Sequence, residues 1–184
     1  KPNKMLNNIY SRGEILGKMN AIIADNIVYI DDEPTISRLD QKGFGKRVKG
    51  KLKLSLLEAL FLLERESIKV SDKGRICSSE DILKKVKEEE FNLRYGVYKD
   101  LRDRGYIVKT GFKFGAHFRV YERGDSIKDH SRYLVHAVKE EDVLSFPELS
   151  RIVRLAHGVR KTIIFAVIDD EGDITYYNVE RITP

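Results

Sequence analysis

The sequence has little cysteine: Cys77 is the single one among 184 residues. One thiol excludes a disulfide framework within the chain, and it excludes a structural zinc site built on several thiolates. Such a composition is typical of proteins in a reducing compartment, so we expect a cytoplasmic protein.

Long apolar runs are also lacking. The longest, residues 55–63 and Thr162–Ile168, are far shorter than the stretch of about 18 residues that a transmembrane helix needs. No basic and apolar leader opens the sequence, so we expect neither secretion nor a membrane partner.

Several catalytic motifs are missing. The sequence has no phosphate-binding loop ending in Gly-Lys-Ser or Gly-Lys-Thr, no Gly-x-Ser-x-Gly elbow, and no pair of histidines at helical spacing for a metal. The acidic cluster Asp169-Asp170-Glu171 could hold a divalent ion, as in a metal-dependent nuclease, but its place in a tight turn is more typical of a solvated hairpin tip. We therefore expect no metal and no other cofactor.

The charge balance is mildly basic. The chain has 34 Lys and Arg residues against 29 Asp and Glu residues, which gives a net charge of +5. The clearest basic run lies between Lys42 and Lys53 and is interleaved with glycines. Such a loop can lie along nucleic-acid phosphates, although a solvated surface loop is the commoner structure.

Hydrophobic patterning divides the chain into two predicted domains, 1–91 and 92–184. We expect the first to be a small mixed α/β domain. Its predicted elements are two short strands around Asp25-Asn26, a helix over residues 52–65, a strand over 68–70, and a charged helix from Ser78 to about residue 91.

The second predicted domain is more regular. Its predicted elements are helices over residues 95–104 and 145–157 and strands over residues 106–110, 117–121, 132–138, 162–168 and 173–180. Ser145 and Pro147 favour the start of the second helix, because a serine can cap the free amides and proline fits the first turn. This order predicts an α+β or α/β fold with a mixed central sheet flanked by helices.

Three polar side chains of this domain come at the ends of predicted strands. Tyr121 ends one strand, His130 comes shortly before the next, and Lys161 comes directly before a third. Since the ends of neighbouring strands can meet at one edge of a sheet, the three could supply a base, an acid and a stabilising cation to a phosphodiester. Each is equally compatible with an ordinary role in packing, in a turn or on a solvated surface.

Three segments resemble the catalytic domain of the archaeal tRNA-splicing endonuclease, the tRNA-intron endonuclease family. They are YKDLRDRGYIVKTGFKFGAHFRVYERG at 98–124, HSRYLVHAV at 130–138, and RIVRLAHGVRKTIIFAVIDDEGDITYY at 151–177. Residues 55–63 resemble the family's N-terminal domain more loosely. The resemblance therefore covers about half of the chain strongly.

The resemblance implies a metal-independent RNA endonuclease that excises introns from precursor tRNA at bulge-helix-bulge sites. In this family the ribose 2′-hydroxyl attacks the adjacent phosphate, which leaves 2′,3′-cyclic phosphate and 5′-hydroxyl ends. By their positions in the family's motifs, Tyr121 would be the general base, His130 the general acid, and Lys161 the cation that stabilises the charged phosphorus. The chemistry is sensible, because a tyrosine acts as a base near neutral pH only beside positive charge.

The resemblance also implies contacts to RNA. Arg154 corresponds to an arginine that helps to sandwich a flipped-out bulge base, and stacking on an unpaired base is a general way to recognise a bulge. Arg119 and Lys113 are candidate phosphate contacts. An exposed arginine on a helix is the alternative for Arg154.

The sequence departs from the family pattern at three places. Tyr176 lies where the second arginine of the base sandwich is expected, so that arginine has no clear counterpart. His117 stands where an acidic residue is usual, and the loop between Tyr121 and His130 is slightly short. None of these departures alters the three candidate catalytic residues.

An acidic turn formed by Glu140, Glu141 and Asp142 follows the strand predicted over residues 132–138. In the family, a loop here inserts into a basic pocket of a neighbouring subunit. The resemblance and the chain length together imply a homotetramer, or a heterotetramer with a structural subunit, whose partner is precursor tRNA with a bulge-helix-bulge motif.

The alternative is a non-catalytic structural or RNA-binding subunit of the same assembly. Such a subunit is expected to lack one or more of Tyr121, His130 and Lys161, and all three are present. The range of intron positions that is cut, and the role of the N-terminal domain, stay open at this point.

Overall fold

The computed structural model describes residues 20–124 and 130–182. These residues form two compact units, one ending at Lys87 and one beginning at Glu88. Each unit is built on its own mixed sheet, so the predicted α+β class is confirmed. Residues 1–19 and 183–184, at the outer ends of the two predicted domains, lie outside the described residues.

The first unit combines three helices with a six-stranded sheet. Its elements are β1 (Asn20–Ala24), β2 (Ile27–Ile30), α1 (Glu33–Gln41), β3 (Lys46–Val48), β4 (Lys51–Leu54), α2 (Leu56–Glu64), β5 (Lys69–Asp72), β6 (Arg75–Ile76) and α3 (Ser79–Leu83). The strand order is β3-β4-β2-β1-β5-β6, in which β1 and β5 are parallel and the other neighbours antiparallel.

The helices α1 and α2 pack on one face of this sheet. Successive strand residues point to opposite faces, and one of the two sets includes the fully buried Val28 and Leu52. Arg47 pairs with Leu52 across the strands and forms ion pairs with Glu33 and Asp40 of α1, so α1 lies on this face. The alternate set of strand residues, on the other face, is exposed or half-buried.

The helix predicted over residues 52–65 begins later than expected. Lys51–Leu54 is a strand, because lysine and leucine alternate there with the period of a sheet. Ser55 then caps α2 in a capping box with Glu58. The predicted start at residue 52 is therefore about four residues too early, because a helix capped at Ser55 begins at Leu56.

The basic run between Lys42 and Lys53, predicted as a loop, forms mainly the hairpin of β3 and β4. Lys49 and Gly50 make its turn, both with positive φ. The hairpin therefore presents its lysines from strands, at fixed positions, rather than from a loop.

Two helices of the first unit also differ from the predictions. α1 was not predicted, although Asp32 caps it by accepting a hydrogen bond from the Thr35 amide at 3.0 Å and Pro34 lies in its first turn. The helix predicted from Ser78 to about residue 91 ends at Leu83. The charged residues that follow offer few apolar side chains to bury, so propensity alone does not extend the helix.

The second unit has a five-stranded sheet with a long helix on each face. Its elements are α4 (Phe91–Asp103), β7 (Ile107–Thr110), a 3₁₀ turn (Phe112–Phe114), β8 (Phe118–Tyr121), β9 (Tyr133–Lys139), α5 (Phe146–Gly158), β10 (Thr162–Ile168) and β11 (Ile174–Val179). The strand order is β11-β10-β9-β8-β7; β9 and β10 are parallel, joined by the α5 crossover, and the other neighbours are antiparallel.

The two long helices cover opposite faces of this sheet. α5 buries Ile152, Val153 and Ala156 against Leu134 and Ile163. On the other face α4 places Tyr98 against Phe118 and accepts a 2.6 Å hydrogen bond at Asp100 from the Tyr176 hydroxyl. Within the described ranges, no helix combines the length and the apolar character that crossing a bilayer requires.

The start of the second unit lies earlier than the prediction. The helix predicted over residues 95–104 begins at Phe91, and the compact units divide between Lys87 and Glu88. Phe91 is buried and stacks on Tyr95, so its apolar ring belongs with this helix rather than with a linker. The five predicted strands of this unit are present, with ends that differ by about one residue.

Candidate active site

Three strand ends meet at one edge of the five-stranded sheet. Val120 of β8 pairs with Tyr133, the first residue of β9, and Thr162, the first residue of β10, pairs with the same Tyr133. Tyr121, at the end of β8, and Lys161, directly before β10, therefore lie on either side of the start of β9. The convergence expected from the sequence is present for these two residues.

Lys161 is held in place by three contacts. Its Nζ donates a hydrogen bond to the Ser131 carbonyl and lies 5.7 Å from the centroid of the Phe114 ring, and its backbone amide donates to the Ala156 carbonyl at 2.9 Å. Burial lowers the pKa of Lys161, and the positive charge of Arg119 lowers it further. The ammonium group is thus fixed at the sheet edge in a partly desolvated place, where it interacts strongly with an anion.

His130 lies at the same edge, since it directly precedes Ser131, whose carbonyl binds Lys161. Its side chain is exposed, so the imidazole is accessible to a substrate bound at this edge. The slightly short loop between Tyr121 and His130 includes residues 125–129, which lie outside the described residues.

Arg119 lies beside both Tyr121 and Lys161. It is two residues from Tyr121 on β8, on the same face of the sheet, and its guanidinium carbon is 5.9 Å from the centroid of the Tyr121 ring. Its Nε is buried and has no hydrogen-bond partner among the described residues. Tyr121 itself is 2% exposed. A half-buried arginine with an unused donor, next to a lysine, is a suitable place for a phosphate.

A polar cluster that the sequence analysis missed ties β8 to the chain just before β9. The Glu122 carboxylate accepts hydrogen bonds from Arg132 Nη1 at 2.7 Å and from the Tyr133 hydroxyl at 2.9 Å. The hydrogen bond to Glu122 raises the pKa of Tyr133. The signal available in the sequence was Glu122 directly after β8 and Arg132 directly before β9. That the two side chains pair depends on the register of these strands, which the sequence does not show.

The other candidate RNA contacts lie around this edge. Arg154 is on the exposed side of α5 and lines a groove together with Leu149, Val179 and Arg181. Since Val179 pairs with Ile163, the end of β11 lies at the same edge as Lys161. Lys113 is exposed in the 3₁₀ turn, next to the Phe114 ring that Lys161 contacts.

Tyr176 does not lie on the same face as these residues. It pairs with Ala166 on the α4 side of the sheet, where its hydroxyl binds Asp100. Burial and the Asp100 carboxylate raise its pKa. Tyr176 is therefore separated from Arg154 by the sheet.

The acidic turn lies at the far end of β9 from the candidate active site. Glu140, Glu141 and Asp142 are exposed, and Asp142 accepts a hydrogen bond from the Lys139 amide at 2.8 Å. Three exposed apolar side chains follow, Val143 at 92%, Leu144 at 39% and Phe146 at 86%. The turn is thus not part of the sheet edge that carries Lys161.

His117 has a structural role. Its ring stacks on His136 with centroids 4.4 Å apart, and its Nδ1 accepts a hydrogen bond from the Ala137 amide at 2.9 Å. Burial lowers the pKa of His117 to about 4, and the nearby His136 and Arg94 act in the same direction. Glu90 is 3.5 Å from Nε2 and would favour the charged ring, but it is largely exposed, and the accepting Nδ1 requires a neutral ring.

The cluster Asp169-Asp170-Glu171 forms the tip of the β10–β11 hairpin. Asp169 Oδ1 accepts hydrogen bonds from the amides of Glu171 at 3.0 Å and Asp173 at 2.9 Å, as in an Asx turn. In the described part of the chain, no group of three or more His, Cys, Asp or Glu side chains is arranged to hold a metal ion.

The sequence is similar to known proteins over both units. The family model of the tRNA intron endonuclease catalytic C-terminal domain matches residues 91–176, and that of the N-terminal domain matches residues 19–83. The tRNA-splicing endonuclease of Thermococcus kodakarensis is 50% identical over 158 residues, 84% of this chain and 93% of that protein. That of Methanothermobacter thermautotrophicus is 44% identical over 164 residues, 88% and 96% of the two chains. The chain therefore belongs to the tRNA intron endonuclease family, as the resemblance in its sequence predicted.

Proposed function

We propose that this chain is the catalytic subunit of a tRNA-splicing endonuclease, which excises introns from precursor tRNA at bulge-helix-bulge sites without a metal ion. The observation that carries the proposal is the meeting of Tyr121, Lys161 and the His130 segment at one edge of the sheet. The name of its archaeal relatives, tRNA-splicing endonuclease, supports the same activity.

The proposed reaction is an internal transesterification. Tyr121 accepts the proton of the ribose 2′-hydroxyl, and the 2′-oxygen attacks the adjacent phosphorus. The bond to the 5′-oxygen breaks, and His130 gives its proton to that leaving oxygen. The products are a 2′,3′-cyclic phosphate and a 5′-hydroxyl, so atoms and charge balance without another reactant.

Two cations would stabilise the extra negative charge on phosphorus. Lys161 is the first, since its Nζ is fixed by the Ser131 carbonyl. Arg119 is the second, because its buried Nε has no partner among the described residues. The Arg119 guanidinium carbon is 5.9 Å from the centroid of the Tyr121 ring, so Arg119 also lies beside the proposed base.

Recognition of the bulge is proposed for the residues around this edge. Arg154 would stack on a flipped-out base, and Lys113 would contact a neighbouring phosphate. Arg181 lines the same groove as Arg154 and is the best candidate for the second arginine of the base sandwich.

The acidic turn is proposed as an assembly site. Glu140, Glu141 and Asp142 would enter a basic pocket of another subunit, in a homotetramer or in a heterotetramer with a structural subunit. An oligomer suits the reaction, because each intron has two boundaries and two active sites at a fixed distance can cut both.

The test uses the purified full chain, EDTA, and a labelled bulge-helix-bulge RNA, followed by analysis of the product ends. We expect two cuts that leave 2′,3′-cyclic phosphate. His130→Ala should slow single-turnover cleavage by about 10²-fold or more and leave RNA binding unchanged. Cleavage that requires added Mg²⁺, or an unchanged rate for His130→Ala, would contradict the proposal.

The alternative of a non-catalytic subunit is tested in the same experiment. A folded chain that binds the RNA but leaves it intact would support that alternative. Adding a candidate partner subunit, with the His130→Ala variant as control, then shows which chain supplies the active site.

A further inference from the structure

A continuous row of side chains crosses the face of the six-stranded sheet opposite α1 and α2. Lys46 pairs with Lys53, Lys53 pairs with Tyr29, and Tyr29 pairs with Ile22. The row continues from Ile22 through Ser71 to β6. Because directly paired residues lie on the same face of a sheet, the row spans all six strands.

Two further lysines lie on the same face. Lys51 is two residues from Lys53 on β4, and Lys69 is two residues from Ser71 on β5. We call the set Ile22, Tyr29, Lys46, Lys51, Lys53 and Lys69 the lysine face.

The charge of the lysine face is not neutralised. No Asp or Glu is among the strand residues that point to this face. None of the four lysines makes an ion pair within residues 20–124 and 130–182. The nearest acids along these strands are Asp72, which ends β5 on the opposite face and pairs with Lys85, and Asp25 and Asp31, which directly follow β1 and β2. Arg47, on the opposite face, is by contrast paired with Glu33 and Asp40 of α1.

The centre of the lysine face is aromatic and apolar. Tyr29 is half-buried, and Ile22 beside it is 53% exposed. A sheet face with an aromatic ring at its centre and cations around it suits RNA, because bases stack on the ring and phosphates bind the cations. An uncompensated positive charge of this size favours a polyanion over a neutral protein surface.

We infer that the lysine face is a second RNA-binding surface, which contacts precursor tRNA outside the bulges that are cut. The inference rests on the proposed function for the identity of the RNA. The lysines contact phosphates and Tyr29 stacks on an unpaired base. The surface therefore adds affinity for the substrate and takes no part in the chemical step.

The test compares two pairs of charge reversals in the full chain. Lys46→Glu with Lys51→Glu changes two exposed positions of the lysine face. Lys84→Glu with Lys87→Glu changes two exposed lysines of the same unit that lie outside the strands, so the net charge is matched. Binding of a precursor tRNA transcript is measured by fluorescence anisotropy at several salt concentrations.

We expect the Kd of the lysine-face variant to rise about tenfold or more. The slope of log affinity against log salt should fall by about 1.4 to 1.8, since two phosphate contacts are lost. The control pair should change the Kd much less, and Tyr29→Leu should raise it about fivefold or more. Single-turnover cleavage at saturating protein should stay at the wild-type rate in all three variants.

Three results would overturn the inference. Equal Kd changes in both charge-reversal pairs would mean that only net charge matters. An unchanged Kd together with a smaller particle in light scattering would mean that the face binds another copy of the chain. The third result is that the Glu pair loses binding and has an altered circular dichroism spectrum, while Lys46→Gln with Lys51→Gln binds like the wild type. It would mean that the charge reversal unfolds the sheet and that the positive charges are not needed for binding. A wild-type chain that binds RNA without cutting it contradicts the proposed function and leaves this comparison intact.

Discussion

The two sheets of this chain differ in what their helices leave uncovered. In the first unit the helices α1 and α2 pack on one face, and the alternate face carries exposed and half-buried side chains. In the second unit α4 and α5 cover opposite faces, and the polar candidates lie where the strands end. A sheet covered on one face offers a broad surface, whereas a sheet covered on both offers only its edges.

This difference matches two kinds of function. Chemistry needs a few groups at fixed distances in a partly desolvated place, and the ends of β8, β9 and β10 provide this because strand pairing fixes them. Binding a long polyanion needs a wide surface of one charge, and the lysine face provides that. The predictions below test whether the two tasks are separated between the two units.

The largest effect is expected at the strand edge. Tyr121→Phe removes the hydroxyl that would accept the 2′-proton and keeps the buried ring. Single-turnover cleavage should fall by about 10²- to 10⁴-fold with the RNA Kd unchanged. Tyr177→Phe is the matched control, because Tyr177 is 54% exposed on β11 and lies outside the proposed machinery. If the two variants cleave at the same rate, Tyr121 is a packing residue only.

The strands of the second unit could be predicted because their local pattern agrees with their surroundings. β10 has the predicted bounds, Thr162–Ile168, and its apolar run ends at the hairpin that Asp169 stabilises. The start of β4 could not be separated from α2 by apolar content alone, since Leu52 and Leu54 continue the leucines of the helix. Pairing with β2 stabilises this segment as a strand, in which lysine and leucine side chains alternate between the two faces.

The candidate site was predictable in part. Tyr121 and Lys161 stand at strand ends that the pattern itself indicates. The bond from Lys161 to the Ser131 carbonyl was not predictable, because it depends on the parallel register of β9 and β10. The position of Arg119 beside Lys161 depends also on the antiparallel pairing of β8 with β9, whereas its position beside Tyr121 follows from alternation along β8 alone. Registers between distant strands are set by the whole sheet and leave little local signal.

The next largest effect is expected on assembly. The change should alter neither the strand edge of the second unit nor the lysine face of the first. Replacing Glu140, Glu141 and Asp142 together by alanine should convert a tetramer into dimers, measured by multi-angle light scattering. The physical reason is that three carboxylates facing a basic pocket lose their partners.

Two controls make this result specific. The isosteric set Glu140→Gln, Glu141→Gln and Asp142→Asn keeps an acceptor for the Lys139 amide and should also give dimers. Neutralising three scattered exposed acids, Glu66, Glu80 and Glu89, should not. A tetramer that persists in the first two variants would show that the turn is only solvated.

A pH dependence of stability is expected in the second unit. The folded state keeps His117 neutral, with a pKa of about 4 against an ordinary value of 6.5, so protons bind preferentially to the unfolded chain between these values. The contribution of His117 to the free energy of unfolding should therefore be fully present above about pH 6.5. It should decrease as the pH falls towards 4, by at most about 3 kcal/mol. The stacked His136, whose pKa burial also lowers, acts in the same direction.

His117→Asn isolates this contribution. Asparagine can still accept the hydrogen bond from the Ala137 amide through its side-chain oxygen but does not titrate. Urea unfolding from pH 4 to pH 8 should show a shallower pH dependence in the variant, with a constant difference from wild type above about pH 7. Parallel curves over the whole range would mean that His117 is not kept neutral by the fold.

The smallest effect compares one capping box from each unit. Glu58 is 8% exposed and accepts hydrogen bonds from the Ser55 amide at 2.9 Å and from the Gly45 amide at 2.8 Å, so it links α2 to the start of the β3 hairpin. Glu148 is exposed and accepts from the amide and hydroxyl of its own cap residue, Ser145.

Glu58→Ala should lower the free energy of unfolding by about 2 kcal/mol, because it leaves the Gly45 amide without its acceptor. Glu148→Ala should cost about 0.5–1 kcal/mol, the value of a local cap. Hydrogen exchange localises the difference: the Gly45 amide should exchange faster in Glu58→Ala, and equal losses in the two variants would mean that Glu58 is a local cap like Glu148.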